Sequence, residues 1–127
     1  MAQLDALLAA AHPPRWKTIF QFAAWSGLRR EEICALRWSD VDMRTGKIRV
    51  RRVLTADSRG RRILEDRTKT RAGAREFTLP QPALDALRLQ RKLQAEERLR
   101  DAEPHEGDWV FTGQGTRGRP IHPSDVS

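Results

Sequence analysis

Ser26-Gly27-Leu28-Arg29-Arg30-Glu31-Glu32-Ile33-Cys34-Ala35-Leu36-Arg37-Trp38-Ser39-Asp40-Val41-Asp42 is the stretch on which the architecture turns. Ile33 and Leu36 lie three residues apart, which predicts a short helix over about Arg30 to Leu36 with both facing inward. Glu31 and Glu32 fall in its first turn, where carboxylates complement the helix dipole. Ser26-Gly27 closes the helix before it, since glycine takes the left-handed conformation of a helix C-terminus without steric cost. Beyond Trp38 the chain leaves the helix, and Arg44-Thr45-Gly46 reads as a turn.

Downstream the period changes to two. Ile48 and Val50 alternate with Arg49 and Arg51, the pattern of a half-buried strand with a basic outer face. Ala56 to Gly60 is a turn signal and Arg61 to Glu65 a returning strand. Arg71-Ala72-Gly73-Ala74 is a second turn before the strand Arg75 to Leu79. The expectation is a three-stranded antiparallel meander closed by Pro80 and Pro82. From about Pro82 to Ala102 the longest helix follows, with Leu84, Leu87, Ala95, Leu99 and Ala102 near one face.

Upstream, Gln3 to Ala11 reads as a short helix stopped by His12-Pro13-Pro14. Trp16, Ile19, Phe20 and Ala23 then follow the helical period while Phe22 and Trp25 occupy the other side, so this second helix is expected at the centre of the core. After a loop from Pro104 to Asp108, Trp109 to Thr112 is a brief extended piece and Gly113 to Pro120 a Gly-rich turn. Ser124 is placed to cap a further helix. The sum is an α+β chain, mainly helical with a small three-stranded antiparallel sheet, read as one domain over residues 1–127.

Composition narrows the chemistry. The 127 residues carry 24 Lys and Arg against 17 Asp and Glu, a net charge of +7. From Arg44 to Arg75 twelve basic residues face three acidic ones, so this segment carries +9 and the rest of the chain −2. A basic surplus confined to one segment suits a polyanion backbone, with counterion release as the driving force, although a solvated Arg-rich surface has the same composition. The single cysteine, Cys34, excludes an internal disulfide, and with three scattered histidines it leaves no metal site to assemble. No apolar run approaches the length of a membrane span and the first residues lack a basic signal start, so a soluble, cytoplasmic protein is expected. The chain contains no tyrosine, which excludes a tyrosyl nucleophile of its own.

Two motifs are set aside. Gly113-Gln114-Gly115-Thr116-Arg117-Gly118 spells the dinucleotide fingerprint, but Pro120 and Pro123 occupy the place of the phosphate-binding helix. His12-Pro13-Pro14-Arg15 has a His-x-x-Arg spacing that its prolines bar from helical geometry. His105 and His122 lack a local acid-base partner.

What survives is Arg29 at the mouth of a short helix, where a guanidinium and helix N–H groups can face one phosphate, with Glu32 placed to hold that guanidinium across an i,i+3 spacing. The second segment, Thr68-Lys69-Thr70-Arg71-Ala72-Gly73-Ala74-Arg75-Glu76-Phe77-Thr78-Leu79-Pro80, puts Lys69 in the turn region between two strands, where an ammonium can reach the same phosphate. On the residues alone a surface Arg29–Glu32 pair and a hairpin-tip Lys69 stay open.

Together these segments closely resemble the tyrosine recombinase (phage integrase) family: its Gly-Leu-Arg turn with Glu three residues on, then Leu, Trp and Asp, and its β-hairpin Lys-Thr region ending in Leu-Pro. The likeness runs from about Leu4 to Val126. It implies that Arg29 contacts the non-bridging oxygens of a scissile phosphate, that Lys69 protonates the departing 5′ oxygen, and that Glu32 supports Arg29. Arg30, Arg49, Arg51, Arg71 and Arg75 are then expected to meet the DNA backbone. The family's His-x-x-Arg pair, further His or Trp and tyrosine nucleophile have no match here, nor has its core-binding domain. The resemblance therefore implies the N-terminal half of a catalytic domain, bacterial or phage-encoded. Its partners would be duplex DNA and, in the intact protein, other recombinase protomers, with no metal, no cofactor and no membrane. A helix-turn-helix module across Ser26-Gly27 is the alternative. An RNA-binding protein of ribosomal type is a third reading, weakened because Arg44 to Arg75 contains no stacking aromatic.

Overall fold

The computed structural model describes residues 14–66, 75–101, 107–113 and 118–123. The helix expected over Gln3 to Ala11, the turn Arg71 to Ala74, Lys69, the loop residues 102–106 and the cap at Ser124 lie outside them.

Helix α1 spans Pro14–Ser26. It buries Thr18, Ile19 and Phe22, with Trp16 and Ala23 packed at the margin, while Trp25 stays exposed. Its far side is thus less covered than an all-round apolar helix suggests. Gly27, at φ +71°, ends it in the expected left-handed conformation. Helix α2, Arg30–Cys34, follows at once and turns Ile33 inward, with Leu36 buried just beyond it. A 3-10 turn, Trp38–Asp40, leads into β1, Val41–Asp42.

Strands β2, Lys47–Val50, and β3, Arg52–Ala56, are two halves of one run interrupted at Arg51. β4 is Arg62–Asp66 and β5 is Arg75–Thr78. A three-stranded antiparallel sheet is present, but its order is β1-β2-β5; β4 pairs with β3 alone, as a separate two-stranded sheet. The expected meander, with the returning strand in the middle, is corrected by the turn at residues 57–61. Asp57 Oδ1 accepts the N–H groups of Arg59 and Arg61, and the resulting register, Ala56 opposite Arg62, uses up β4 at Arg52↔Asp66. Lys47–Val50 therefore keeps a free edge, and β5 takes it, Val50↔Arg75 to Lys47↔Thr78.

Helix α3, Gln81–Arg100, starts after Pro80 and buries Ala83, Leu84, Ala86, Leu87, Gln90 and Gln94. Leu84 and Leu87 face the core as expected; Ala95 and Leu99 do not, and Leu99 is 87% exposed. The inward stripe turns polar because it must satisfy backbone. Gln90 Nε2 donates to the Val110 carbonyl, and Gln94 Nε2 donates to the carbonyls of Trp109 and Val110. Their amide oxygens accept from Thr18 Oγ1 (2.5 Å) and Trp38 Nε1 (2.8 Å). Two glutamines thereby join α1, α3, the 3-10 turn and the piece at residues 107–113, whose Val110 N–H donates to Leu36 O and whose Phe111 packs on Phe22 at 5.5 Å.

Gln94→Met preserves volume but removes these partners. It is expected to destabilise the chain by about 1–3 kcal/mol for each buried group left unpaired, whereas Leu99→Ala should stay within about 0.5 kcal/mol of wild type. Urea unfolding followed by tryptophan fluorescence measures both.

Candidate functional site

Arg29 sits between Gly27 and α2 in extended backbone, φ −77° and ψ 154°, as the residue that caps the helix. Its carbonyl accepts the N–H groups of Glu32 and Ile33, and its own N–H donates to Glu32 Oε1 at 2.9 Å. The turn is thus closed by backbone and carboxylate, and the exposed Arg29 side chain is left out of the capping arrangement. Glu32 was expected to hold the Arg29 guanidinium; it binds the Arg29 backbone instead, because the capping geometry aims the carboxylate back along the helix axis. The same Oε1 accepts a second, charge-assisted bond of 2.6 Å from Arg75 Nη2, 43 residues away at the head of β5. Arg30, exposed, lies 3.5 Å from Glu31.

The arrangement recurs eight residues on. Arg37 N–H donates to Asp40 Oδ2 at 3.1 Å, and that oxygen also accepts from Arg52 Nη1 at 2.7 Å. Here the pair is fully interior: the side chains are 1% and 7% exposed. The Arg37 guanidinium lies 4.6 Å from the centre of the Trp109 ring, a cation–π contact. Arg51 Nε stands 4.0 Å from Asp40 Oδ1, too far for a hydrogen bond, and neither atom has such a partner among the described residues. Neither Arg52 nor Asp40 was anticipated as a functional pair. The signal was present, since Arg52 continues the inward series Ile48, Val50, Leu54, and an arginine at an inward position demands a carboxylate.

Around this frame the basic surface divides. Arg49 is exposed on β2, and Arg51 is partly covered. Lys47 Nζ contacts Glu76 Oε1 at 2.7 Å across the β2–β5 pair. That hydrogen bond, then the Coulomb attraction of Lys47 and of Arg49, holds the Glu76 carboxyl below its ordinary value, and the same contact raises Lys47. Asp57 is lowered mainly by the Arg61 N–H, and Asp42 by the N–H groups of Arg44 and Thr45. Lys69 and Arg71 lie outside the described residues, in the connection from Asp66 of β4 to Arg75 of β5. His122 meets the tip of the β3–β4 hairpin, its Nε2 2.8 Å from Gly60 O.

Helix α2 has five residues, of which Glu32, Ile33 and Cys34 are buried. Only Arg30 and Glu31 remain to face a groove, which argues against a recognition helix. Among the described residues no cluster of His, Cys, Asp and Glu could hold a metal, and no helix is long and apolar enough to cross a membrane. A groove of about 940 Å³ between the 3-10 turn and α3, walled by Trp38, Arg91, Arg98 and Leu99, includes none of the expected site residues.

Comparison with known proteins gives a consistent picture. The sequence pattern of the phage integrase family matches residues 1–127. The chain is 46% identical over 84 residues to prophage integrase IntR of Escherichia coli K12, covering 65% of this chain and 19% of that protein. It is 30% identical over 109 residues to a tyrosine recombinase XerC-like protein of Caldanaerobacter subterraneus subsp. tengcongensis, covering 77% and 28%. It thus spans under a third of either relative. Among solved structures, the Tn1549 transposon integrase in complex with transposon right end DNA shares the fold with a TM-score of 0.73 at 21% identity, over 98% of this chain and 39% of that one. XerA recombinase does so at 0.60 and 20% identity, over 98% and 36%.

Two outcomes follow from the ion pairs. Asp40→Ala strands a buried guanidinium and should cost about 3–5 kcal/mol, while Asp40→Ala combined with Arg52→Met should cost less than the single change; chemical denaturation of the three proteins checks it. The lowered carboxyls Glu76, Asp57 and Asp42 contribute stability that is present above their ordinary values and is lost as pH falls through the lower folded ones. The thermal midpoint should therefore fall between neutral pH and about pH 3, less steeply in Glu76→Gln. The raised Lys47 keeps its contribution up to the ordinary lysine range and loses it as pH rises through its folded value.

Proposed function

The chain belongs to the phage integrase family, and from that membership we propose that it is part of the catalytic domain of a site-specific DNA recombinase, acting on duplex DNA. The observation that carries the reading is the Arg29 turn. Backbone and carboxylate lock its main chain, and the side chain is left exposed. A guanidinium carried on a fixed main chain starts from a defined point and can be brought to a phosphate, where it stabilises the charge of the transition state.

In this reading Arg29 binds the non-bridging oxygens of the scissile phosphate. Arg30, Arg49, Arg51 and Arg71 contact neighbouring phosphates and set the register on the duplex. The attacking hydroxyl is a tyrosine supplied by residues outside these 127, since this chain has none. Its oxygen bonds to phosphorus as its proton passes to a base that, like the tyrosine, comes from residues outside these 127; the bond to the 5′ oxygen breaks, and Lys69 gives that oxygen a proton. The 3′-phosphotyrosyl ester keeps the phosphodiester's energy, so a 5′ hydroxyl from a partner strand can reverse the step and rejoin the DNA with no external energy source. Residues 1–127 would then form the N-terminal half of the catalytic domain and work with further protomers across two duplexes.

In the complete recombinase carrying this segment, Arg29→Ala and Lys69→Ala should each slow strand cleavage by about 10²–10³-fold with a much smaller change in duplex affinity. Cleavage of a nicked suicide duplex and a gel-shift titration separate the two. Recombination that persists while affinity falls would make both residues DNA-binding groups only.

A further inference from the structure

We propose that Arg75 is a positioning residue, not a phosphate ligand: through Glu32 it ties the strand that follows residues 67–74 to the turn that presents Arg29. The inference rests on the reading of Arg29 given above and names how the turn that bears it is held.

Three observations carry it. Glu32 Oε1 receives both the Arg29 N–H at 2.9 Å and Arg75 Nη2 at 2.6 Å, so one oxygen joins the turn to the sheet. The Glu32 side chain is 9% exposed and that of Arg75 51%, so the pair spans the boundary of the fold beside Arg29. The strand registers place the two ends of the 67–74 connection together, because Asp66 lies opposite Arg52 and Arg75 lies opposite Val50, two positions apart on the same run. The two arginines at this junction are each held by a carboxylate from a capping turn, Arg52 by Asp40 and Arg75 by Glu32.

Arg75 was expected to contact DNA, and its half-exposed side chain leaves that open to a phosphate. Moving it there would leave the buried Glu32 carboxylate without its counter-charge, a cost that outweighs one solvent-screened contact. It would also loosen the carboxylate that fixes the Arg29 backbone. Arg75 thus serves the phosphate through Arg29.

The test is duplex binding by the chain across a salt series, with the Arg29 amide resonance followed by NMR, in wild type, Arg75→Gln, Arg75→Lys and the control Lys92→Gln. Both Arg75 variants are expected to displace the Arg29 amide and to leave the slope of log affinity against log salt unchanged; Lys92→Gln should leave the amide in place. A slope reduced by about one in Arg75→Gln with the amide unmoved would overturn the proposal, since it marks a lost phosphate contact. If Arg75→Gln loses its circular dichroism and does not fold, Arg75→Lys decides by the Arg29 amide, an unmoved amide overturning the proposal, because lysine keeps the charge that the salt slope reports. If wild type shows no salt-dependent duplex binding, the recombinase reading fails, while the amide displacement still judges the link from Arg75 to Arg29.

Discussion

A buried carboxylate that accepts a backbone N–H three residues before it and an arginine from the sheet is the contact on which the structure depends. It occurs twice, at Glu32 and at Asp40. Each does two jobs that a neutral residue cannot combine. The N–H bond closes a tight turn and holds the preceding arginine in extended backbone. The ionic bond ties that turn to a strand many residues away, and at Asp40–Arg52, where both side chains are buried, neither partner can be removed alone without large cost. α2 is too short to hold its shape by helix propensity. Its shape is held by Glu32 on the polar side and by Ile33 and Cys34 in the core.

The local elements were legible because each has a strong period or a punctuating residue. α1 follows from Ile19, Phe22 and Ala23, its end from Gly27, and β2 from the alternation of Ile48 and Val50 with charge. The pairing of strands was not legible, because it depends on how many residues the turn at Asp57 leaves for β4, a matter of register that composition does not encode. Leu99 misled for a related reason: the inward stripe of α3 continues through Gln90 and Gln94, whose value lies in the carbonyls of Trp109 and Val110 far along the chain. A polar residue at a core position looks like the end of a face until its partner is known.

For the candidate site the same division holds. Arg29 and its Glu32 were visible in a spacing of three, but the manner of their contact was not, since an i,i+3 Arg–Glu pair reads first as an ion pair and here acts through the backbone. Arg75 lies 43 residues from its carboxylate, and nothing local in Gly73-Ala74-Arg75-Glu76 points to Glu32. Arg52 was the converse case. Its inward position was readable from the strand period, yet in a run of three basic residues among five, Arg49, Arg51 and Arg52, it looked like surface.

Charge counted along a sequence is therefore not charge available to a ligand. Of the twelve basic residues between Arg44 and Arg75, Lys47, Arg52, Arg61 and Arg75 are held by Glu76, Asp40, Asp57 and Glu32. Three of these four carboxylates lie outside the acidic residues counted within that basic segment. The other, Asp57, holds the hairpin turn. The local surplus of +9 is thus an upper limit on what a polyanion meets, and the fold chooses which cations remain. It retains the ones that brace strands and turns, and it leaves outward those, such as Arg29 and Arg49, whose backbone is already fixed. A surface sorted in this way discriminates by position as well as by charge: a phosphate chain gains most where a rigid turn offers a guanidinium that no carboxylate among the described residues has claimed.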